Sequence, residues 1–307
     1  MTISLTLAVP THNRAATLAE TLASLAAQSL PAGVETECIV VDNNSTDRTP
    51  AVVEEAAARA PFTIRHVLEP RQGSSFARNR AVDEAAGDFI LFIDDDAVAE
   101  PQWAALMLAA IERRGLDAAC GMALPRWEVT PPRWIGPSLY VRFAVHDQHA
   151  IAAAPAADAE VLRNYFSANV GFRRECFVRF GRFREDLGVV GGNPISGEDT
   201  EMFARIIEGG GAMGFVAEAR VFHLVPAARM NRRYLRRKAF AFGEGTAQAG
   251  GRSHNHLDKL VRNAIRMASA AARGDRERAV CHELECANFC GYWWGRLRRR
   301  GAPGRRR

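Results

Sequence analysis

Three consecutive carboxylates, Asp94, Asp95 and Asp96, end an unbroken apolar run, Phe89-Ile90-Leu91-Phe92-Ile93. Adjacent like charges at the end of a buried segment repel unless a cation sits among them. A hard divalent cation carrying phosphate oxygens meets that need; a solvated acidic turn is the plain alternative. A second acidic pair, Glu198-Asp199, follows Gly197 and opens a helical pattern. A carboxylate there can take a proton from a hydroxyl, although acids in a first turn also stabilise the helix dipole. Asp42 closes a third apolar run, Cys38-Ile39-Val40-Val41, and can accept from a base N–H or a ribose hydroxyl. The residues after it, to Asp47, also read as a turn, with Asp47 as a cap. Finally, Arg71-Gln72-Gly73-Ser74-Ser75-Phe76-Ala77-Arg78-Asn79-Arg80 sets glycine, hydroxyls and arginines at a helix start. Such a start favours an anion, while Arg78 and Arg80 also fit a solvated charged face.

These groups need a frame that brings them together. Apolar runs over 3–9, 38–41, 63–67 and 88–93 read as strands, and the intervening 15–29, 50–60 and 74–86 as helices. That alternation predicts an α/β fold, a doubly wound, mostly parallel sheet with helices on both faces. Ligands bind such sheets at the carboxyl ends of the strands, where Pro10–Arg14, Asp42–Asp47 and Asp94–Asp96 all fall. Beyond residue 120 the pattern loosens. Segment 125–160, with five prolines, reads as irregular and shaping one side of a cleft. A strand near 166–172, a glycine-rich loop from Gly188 to Gly197, a helix over 199–208 and a strand over 214–223 follow, and the rest reads as helical and basic. The glycines would let that loop move over a ligand.

Four blocks in order resemble glycosyltransferase family 2, whose members have the GT-A fold and invert the anomeric centre. Val9-Pro10-Thr11-His12-Asn13-Arg14 is similar to the nucleotide loop, and Val41-Asp42-Asn43-Asn44-Ser45-Thr46-Asp47 to the base-binding turn. Arg71-Gln72-Gly73 with Ala77-Arg78-Asn79 is similar to the next block, and Phe92-Ile93-Asp94-Asp95-Asp96 to the DxD metal motif. Gly197-Glu198-Asp199 resembles the ED motif. The resemblance covers roughly residues 3–225. It implies that Asp42 contacts the base, with Pro10, Thr11, Asn13, Arg14, Asn44, Arg71 and Arg78 around the nucleotide. Asp96 would ligate Mn2+ or Mg2+, and Asp94 would lie by the ribose and diphosphate or share the metal. Three aspartates in a row leave the register open to Asp95. Asp199 would be the general base, with Glu198 and Gly197 at the acceptor. Asn169 would hydrogen-bond a sugar hydroxyl or satisfy a buried backbone, and His223 would hold the metal or simply pack. The implied activity is hexosyl transfer from a nucleotide-sugar, a UDP-sugar, to a glycan or lipid-linked acceptor.

Composition bounds the partners. The chain carries 307 residues, with 48% apolar and 24% charged, as in a globular protein able to bury a full core. No run of 18 apolar residues occurs, and the start lacks a basic leader, so a cytoplasmic location is expected. Residues 292–307 hold seven arginines and no acid; removing them from a net charge of +5 leaves −2. The basicity is thus local, and no nucleic-acid partner is expected. Six cysteines form no CxxC pair. Cys281, Cys286 and Cys290 with His282 match no common zinc spacing and read as buried thiols on a helix. Domain organisation is read as a GT-A domain over 1–225, nucleotide-binding to 120 and acceptor-binding from 121, with a helical basic extension over 226–307. Arginines beside aromatics at 229–242 and 292–300 suit the anionic inner face of a membrane; a solvated tail is the alternative. Two other functions compete: a sugar-nucleotide nucleotidyltransferase, which would need a Gly-rich basic phosphate loop that Pro10–Arg14 is not, and a non-catalytic nucleotide-sugar binder, against which intact acids at 94, 96 and 199 argue.

Overall fold

The computed structural model describes residues 3–147, 168–188, 197–249 and 257–301, the last three (299–301) by backbone only. It divides into two compact units. One holds Met1–Arg126, Ala144–Glu185 and Glu198–Leu224; the other holds Trp127–Phe143, Asp186–Gly197 and Val225–Arg307. Segment Trp127–Phe143 thus groups with the C-terminal helices.

In the first unit, strands β1 (Ile3–Thr11), β2 (Val34–Asp42), β3 (Thr63–Leu68) and β4 (Phe89–Ile93) alternate with helices α1 (Ala15–Ala26), α2 (Thr49–Ala57) and α3 (Ser74–Glu84). After β4 come β5 (Ala97–Ala99), α4 (Trp103–Arg113), β6 (Ala118–Trp127), β7 (Asn169–Arg173), the short α5 (Glu175–Arg179), α6 (Glu198–Glu208) and β8 (Met213–Val225). One eight-stranded sheet runs β3-β2-β1-β4-β7-β6-β8-β5. Pairs β2–β3, β1–β2 and β1–β4 are parallel, whereas β4–β7, β6–β7 and β5–β8 are antiparallel. The fold is therefore α/β as expected, but only its first half is parallel. Strand β7 does not follow β4 through a crossover helix, so it is free to lie antiparallel beside it.

Strand β4 is the clearest case of sequence dictating position. Phe89, Leu91 and Ile93 enter one apolar layer with Leu18, Leu22 and Leu25 of α1 and Trp103 and Met107 of α4. Ile90 and Phe92 enter the opposite layer with Ala77 and Ala81 of α3 and Phe172 and Phe203. Both faces are dry, which is why the run is continuously apolar. Each fully buried leucine contributes about 1.5–3 kcal/mol. Pro10 sits past the last β1–β4 pair, Ala8 with Phe92, where its missing N–H breaks no ladder bond to β4.

The second unit contains a 3-10 helix, Pro137–Phe143, and helices α7 (Arg232–Gln248), α8 (Leu257–Ala272) and α9 (Arg276–Gly301). Helices α7 and α9 approach closely because Gly243 and Gly291 face each other's backbone; a Cβ at either would strike the carbonyl of Asn288 or Phe240. In the basic 229–238 stretch, Arg232 and Arg236 share one carboxylate, Glu283. The thiols differ from expectation. Cys38, Cys120 and Cys176 are buried, but Cys281 and Cys286 are half-buried and Cys290 is exposed. Nine residues at about 100° each put Cys290 about 180° around α9 from Cys281, so one helix face cannot bury both. Among the described residues no helix is long and apolar enough to cross a membrane.

Candidate functional site

The carboxyl end of β4 turns at once, Ala97 N–H donating to Asp94 O at 3.1 Å, and β5 then pairs Ala97 with His223 of β8. Leu224 N–H donates to Asp96 O at 2.9 Å. This pairing draws the end of β8 against the acidic turn. Asp94, Asp96 and His223 offer ligand atoms within 4.8 Å of one another. His223 Nε2 lies 3.0 Å from Asp96 Oδ1, and both side chains are buried. Two carboxylates and an imidazole form a donor set that suits Mn2+ or Mg2+.

Asp95 turns elsewhere. Its Oδ2 accepts from Thr11 Oγ1 at 2.7 Å and its Oδ1 from Arg14 at 3.1 Å. Burial pushes its carboxyl up to about 6, against the pull of Arg14 and with the push of Asp96. Arg14 also pairs with Asp96. Of the three aspartates, then, the outer two gather with His223 and the middle one ties the turn to the first loop.

The nucleotide-loop candidates are stitched to one another. Asp42 is buried; Oδ1 accepts from Ser45 N–H at 2.8 Å, and Oδ2 lies 3.0 Å from His66 Nε2. Asn13 (φ 52°) donates its N–H to Ser45 Oγ and accepts Thr46 N–H at 2.7 Å, and Asn44 has φ 63°. Asp47 accepts from Ala15 N–H and Thr49 N–H, capping the starts of α1 and α2. Two residues were missed in the sequence. His66 stands beside Asp42, and Asn43 donates to Glu69 O and Arg71 O while accepting Gly73 N–H. An Asn in a turn carries only a weak signal for such a hub, and His66 none beyond lying on the strand next to β2.

The arginines of the third block separate. Arg71 is committed to the buried Glu69 (2.9 Å) and stacks over Phe76, its guanidinium 4.6 Å from the ring. Arg80 pairs with Glu84 along α3 at 2.9 Å, a half-exposed face. Arg78 is buried, which excludes the solvated face for it. Its Nη1 donates to Glu198 Oε1 at 2.7 Å and its Nη2 lies 3.6 Å from Asp94 Oδ1. Ser74 Oγ also donates to Glu198, at 2.8 Å. Glu198 is thereby fixed and buried at the start of α6, while Asp199 stays partly exposed, its Oδ1 accepting Thr200 N–H at 2.7 Å. Asp199 lies close enough to act on the charge of Arg78 and to push up the Cys120 thiol, which burial already raises.

Asn169 lies on β7, away from solvent. It is wholly buried in β7, its amide donating to Met122 O (3.0 Å) and Ala219 O (2.8 Å) and its oxygen accepting Trp103 Nε1–H (2.7 Å). The buried-backbone alternative is the one realised. Gly197 has φ 123°, a conformation that favours glycine just before Glu198. The rest of the glycine-rich loop, residues 189–196, and the segment 148–167 lie outside the described residues.

Residues 6–177 match the family model of glycosyl transferase family 2. The succinoglycan biosynthesis protein ExoM of Rhizobium meliloti (strain 1021) is 31% identical over 273 residues, spanning 89% of this chain and 82% of ExoM. The fold is similar to the mannosyltransferase PcManGT from Pyrobaculum calidifontis in complex with GDP-Man and Mn2+, with TM-score 0.60 and 20% identity over 98% of this chain and 75% of that one. It is also similar to Staphylococcus aureus TarS 1-349 in complex with UDP, with TM-score 0.57 and 17% identity over 99% and 93% of the two chains.

Proposed function

The chain belongs to glycosyltransferase family 2, and from that membership we propose a metal-dependent, inverting transfer of a hexose from a UDP-sugar to a hydroxyl of a glycan or lipid-linked acceptor. The observation that carries the reading is the Arg78 bridge. One buried guanidinium reaches both Asp94 of the acidic turn (3.6 Å) and Glu198 beside Asp199 (2.7 Å), so the two carboxylate groups lie side by side. The UDP complex of TarS favours the donor class, and the role of ExoM in succinoglycan biosynthesis favours a polysaccharide setting.

In this mechanism Asp42 receives the base, with Thr11, Asn13 and Asn44 shaping the wall around it. Asp94, Asp96 and His223 would hold Mn2+ or Mg2+, and the cation would supply positive charge where the diphosphate departs. Arg14, beside Asp95 and Asp96, adds a second positive group on that side. Asp199 takes the acceptor proton as the hydroxyl oxygen attacks the anomeric carbon; the bond to the diphosphate breaks on the opposite face and UDP leaves with the electron pair. Glu198, held by Arg78 and Ser74, is a positioning residue for the start of α6.

UDP affinity with and without Mn2+, followed by turnover over a panel of UDP-sugars, tests this. Asp199→Asn should lower transfer about 10²–10⁴-fold and keep Mn2+-dependent UDP affinity. Asp96→Ala should lose both. Near-normal turnover by Asp199→Asn would refute the base assignment. Tight UDP binding with no turnover on any donor would make the chain a binding protein.

A further inference from the structure

Helix α8 carries its apolar side outward. At about 100° per residue, Leu257, Val261, Ile265, Ala268 and Ala272 fall within an arc of about 80°. Leu257 is 69%, Val261 51% and Ile265 64% exposed. The side that α8 buries is instead carried by Asn263 and Ala270. A helix whose apolar stripe is left this exposed has the pattern of an interfacial helix, since covering that stripe is favourable by about 25 cal/mol per Å2.

Cations border the stripe on one side. Arg262 and Arg266, with Lys259, Arg142 and His282, line a cavity of about 680 Å3 within the C-terminal unit. The lining contributes four full cations and one carboxylate, Glu285, which Arg142 (2.5 Å) and Lys259 (3.8 Å) already share. Arg262 pairs with Asp258 on the exposed surface at 2.7 Å. A surplus of positive charge therefore faces the cavity. Buried Asn263 orients His282, its Oδ1 2.9 Å from Nδ1.

We propose that this unit docks on an anionic membrane by taking the headgroup phosphate of an anionic phospholipid into the cavity, with the acyl region against Leu257, Val261 and Ile265. Charge complementarity selects the occupant. A bare apolar stripe would fit a second copy of the chain, but a stripe edged by cations over a basic cavity matches an amphiphile with a negative head. The surface differs from the arginine-rich end of the chain and is independent of the Asp199 chemistry, so it is read without turnover.

Full-length protein is sedimented with vesicles of phosphatidylcholine, with or without phosphatidylglycerol. Binding should need the anionic lipid. Arg262→Gln/Arg266→Gln should weaken it about 30-fold, at about fivefold per charge. Val261→Asp/Ile265→Asp should weaken it more than about tenfold. All four side chains are exposed, so melting temperatures should stay at the parent value. Arg305→Gln/Arg306→Gln/Arg307→Gln should weaken binding less than either helix pair. The proposal is overturned if both helix variants bind like the parent or if only the tail variant loses binding. Titration with inorganic phosphate as tight as with vesicles would overturn the lipid assignment. So would a dimer that Val261→Asp/Ile265→Asp abolishes while the parent ignores vesicles.

Discussion

Replacing Arg78 by methionine removes a charge and keeps much of the volume. The Arg78 and Glu198 side chains are each 7% exposed and meet at 2.7 Å, while Asp94 is 31% exposed at 3.6 Å. Removing one partner of a buried pair costs about 3–5 kcal/mol, because the other charge loses its counter-ion. Water screens Asp94, whose share is below about 1 kcal/mol. The loss is therefore assigned to Glu198, at about 3 kcal/mol, or a melting temperature lower by about 6–12 °C. If stranded charge is the cause, Arg78→Met/Glu198→Gln should recover at least half of that loss, since the amide needs no counter-ion. Thermal melting of the parent, both single variants and the double variant closes the cycle. An Arg78→Met protein within about 1 kcal/mol of the parent, or a double variant no more stable than Arg78→Met, would refute the bridge as the element that couples the two acidic sites.

Asn169→Ala should destabilise by at least about 3 kcal/mol, since it strands Trp103 Nε1–H and two carbonyls at about 1–3 kcal/mol each, while KM for the donor in the folded fraction stays unchanged; a raised KM with normal stability would restore a sugar contact. Thiol titration of the native chain at pH 8 should label Cys290 first, with Cys38 and Cys176 reacting only after unfolding, because burial pushes both thiols up to about 12. Fast labelling of Cys38 would contradict the packing of β2. His223→Ala should weaken Mn2+-dependent UDP binding less than Asp96→Ala does, because an imidazole nitrogen is lost rather than a carboxylate; equal losses would make the imidazole an essential ligand.

The parallel half of the sheet was legible because its signals are local. Predicted strands at 3–9, 38–41, 63–67 and 88–93 became Ile3–Thr11, Val34–Asp42, Thr63–Leu68 and Phe89–Ile93. An apolar run bounded by Asp or Gly says enough about itself to be placed. The antiparallel half was not legible, since β7 reaches β4 across more than seventy residues and no nearby pattern encodes that choice. Single residues failed in the same way. Arg78 read equally as an anion contact and as a solvated face, because its partner Glu198 lies 120 positions later. Asn169 read equally as a sugar contact and as a buried-backbone partner, because its three partners come from three distant segments.

The contacts that join Asn13 to Ser45 and Thr46 have an energetic consequence. Both Asn13 and Asn44 hold left-handed backbones, a strain of about 1–3 kcal/mol each that the folded chain already carries. Under the proposed role of Asp42 as the base contact, the loops beside it are already fixed before a donor arrives, and little ordering entropy remains to be lost there on association. On that reading, discrimination among bases is set at folding, and differences in the transferred sugar fall to residues outside these two loops.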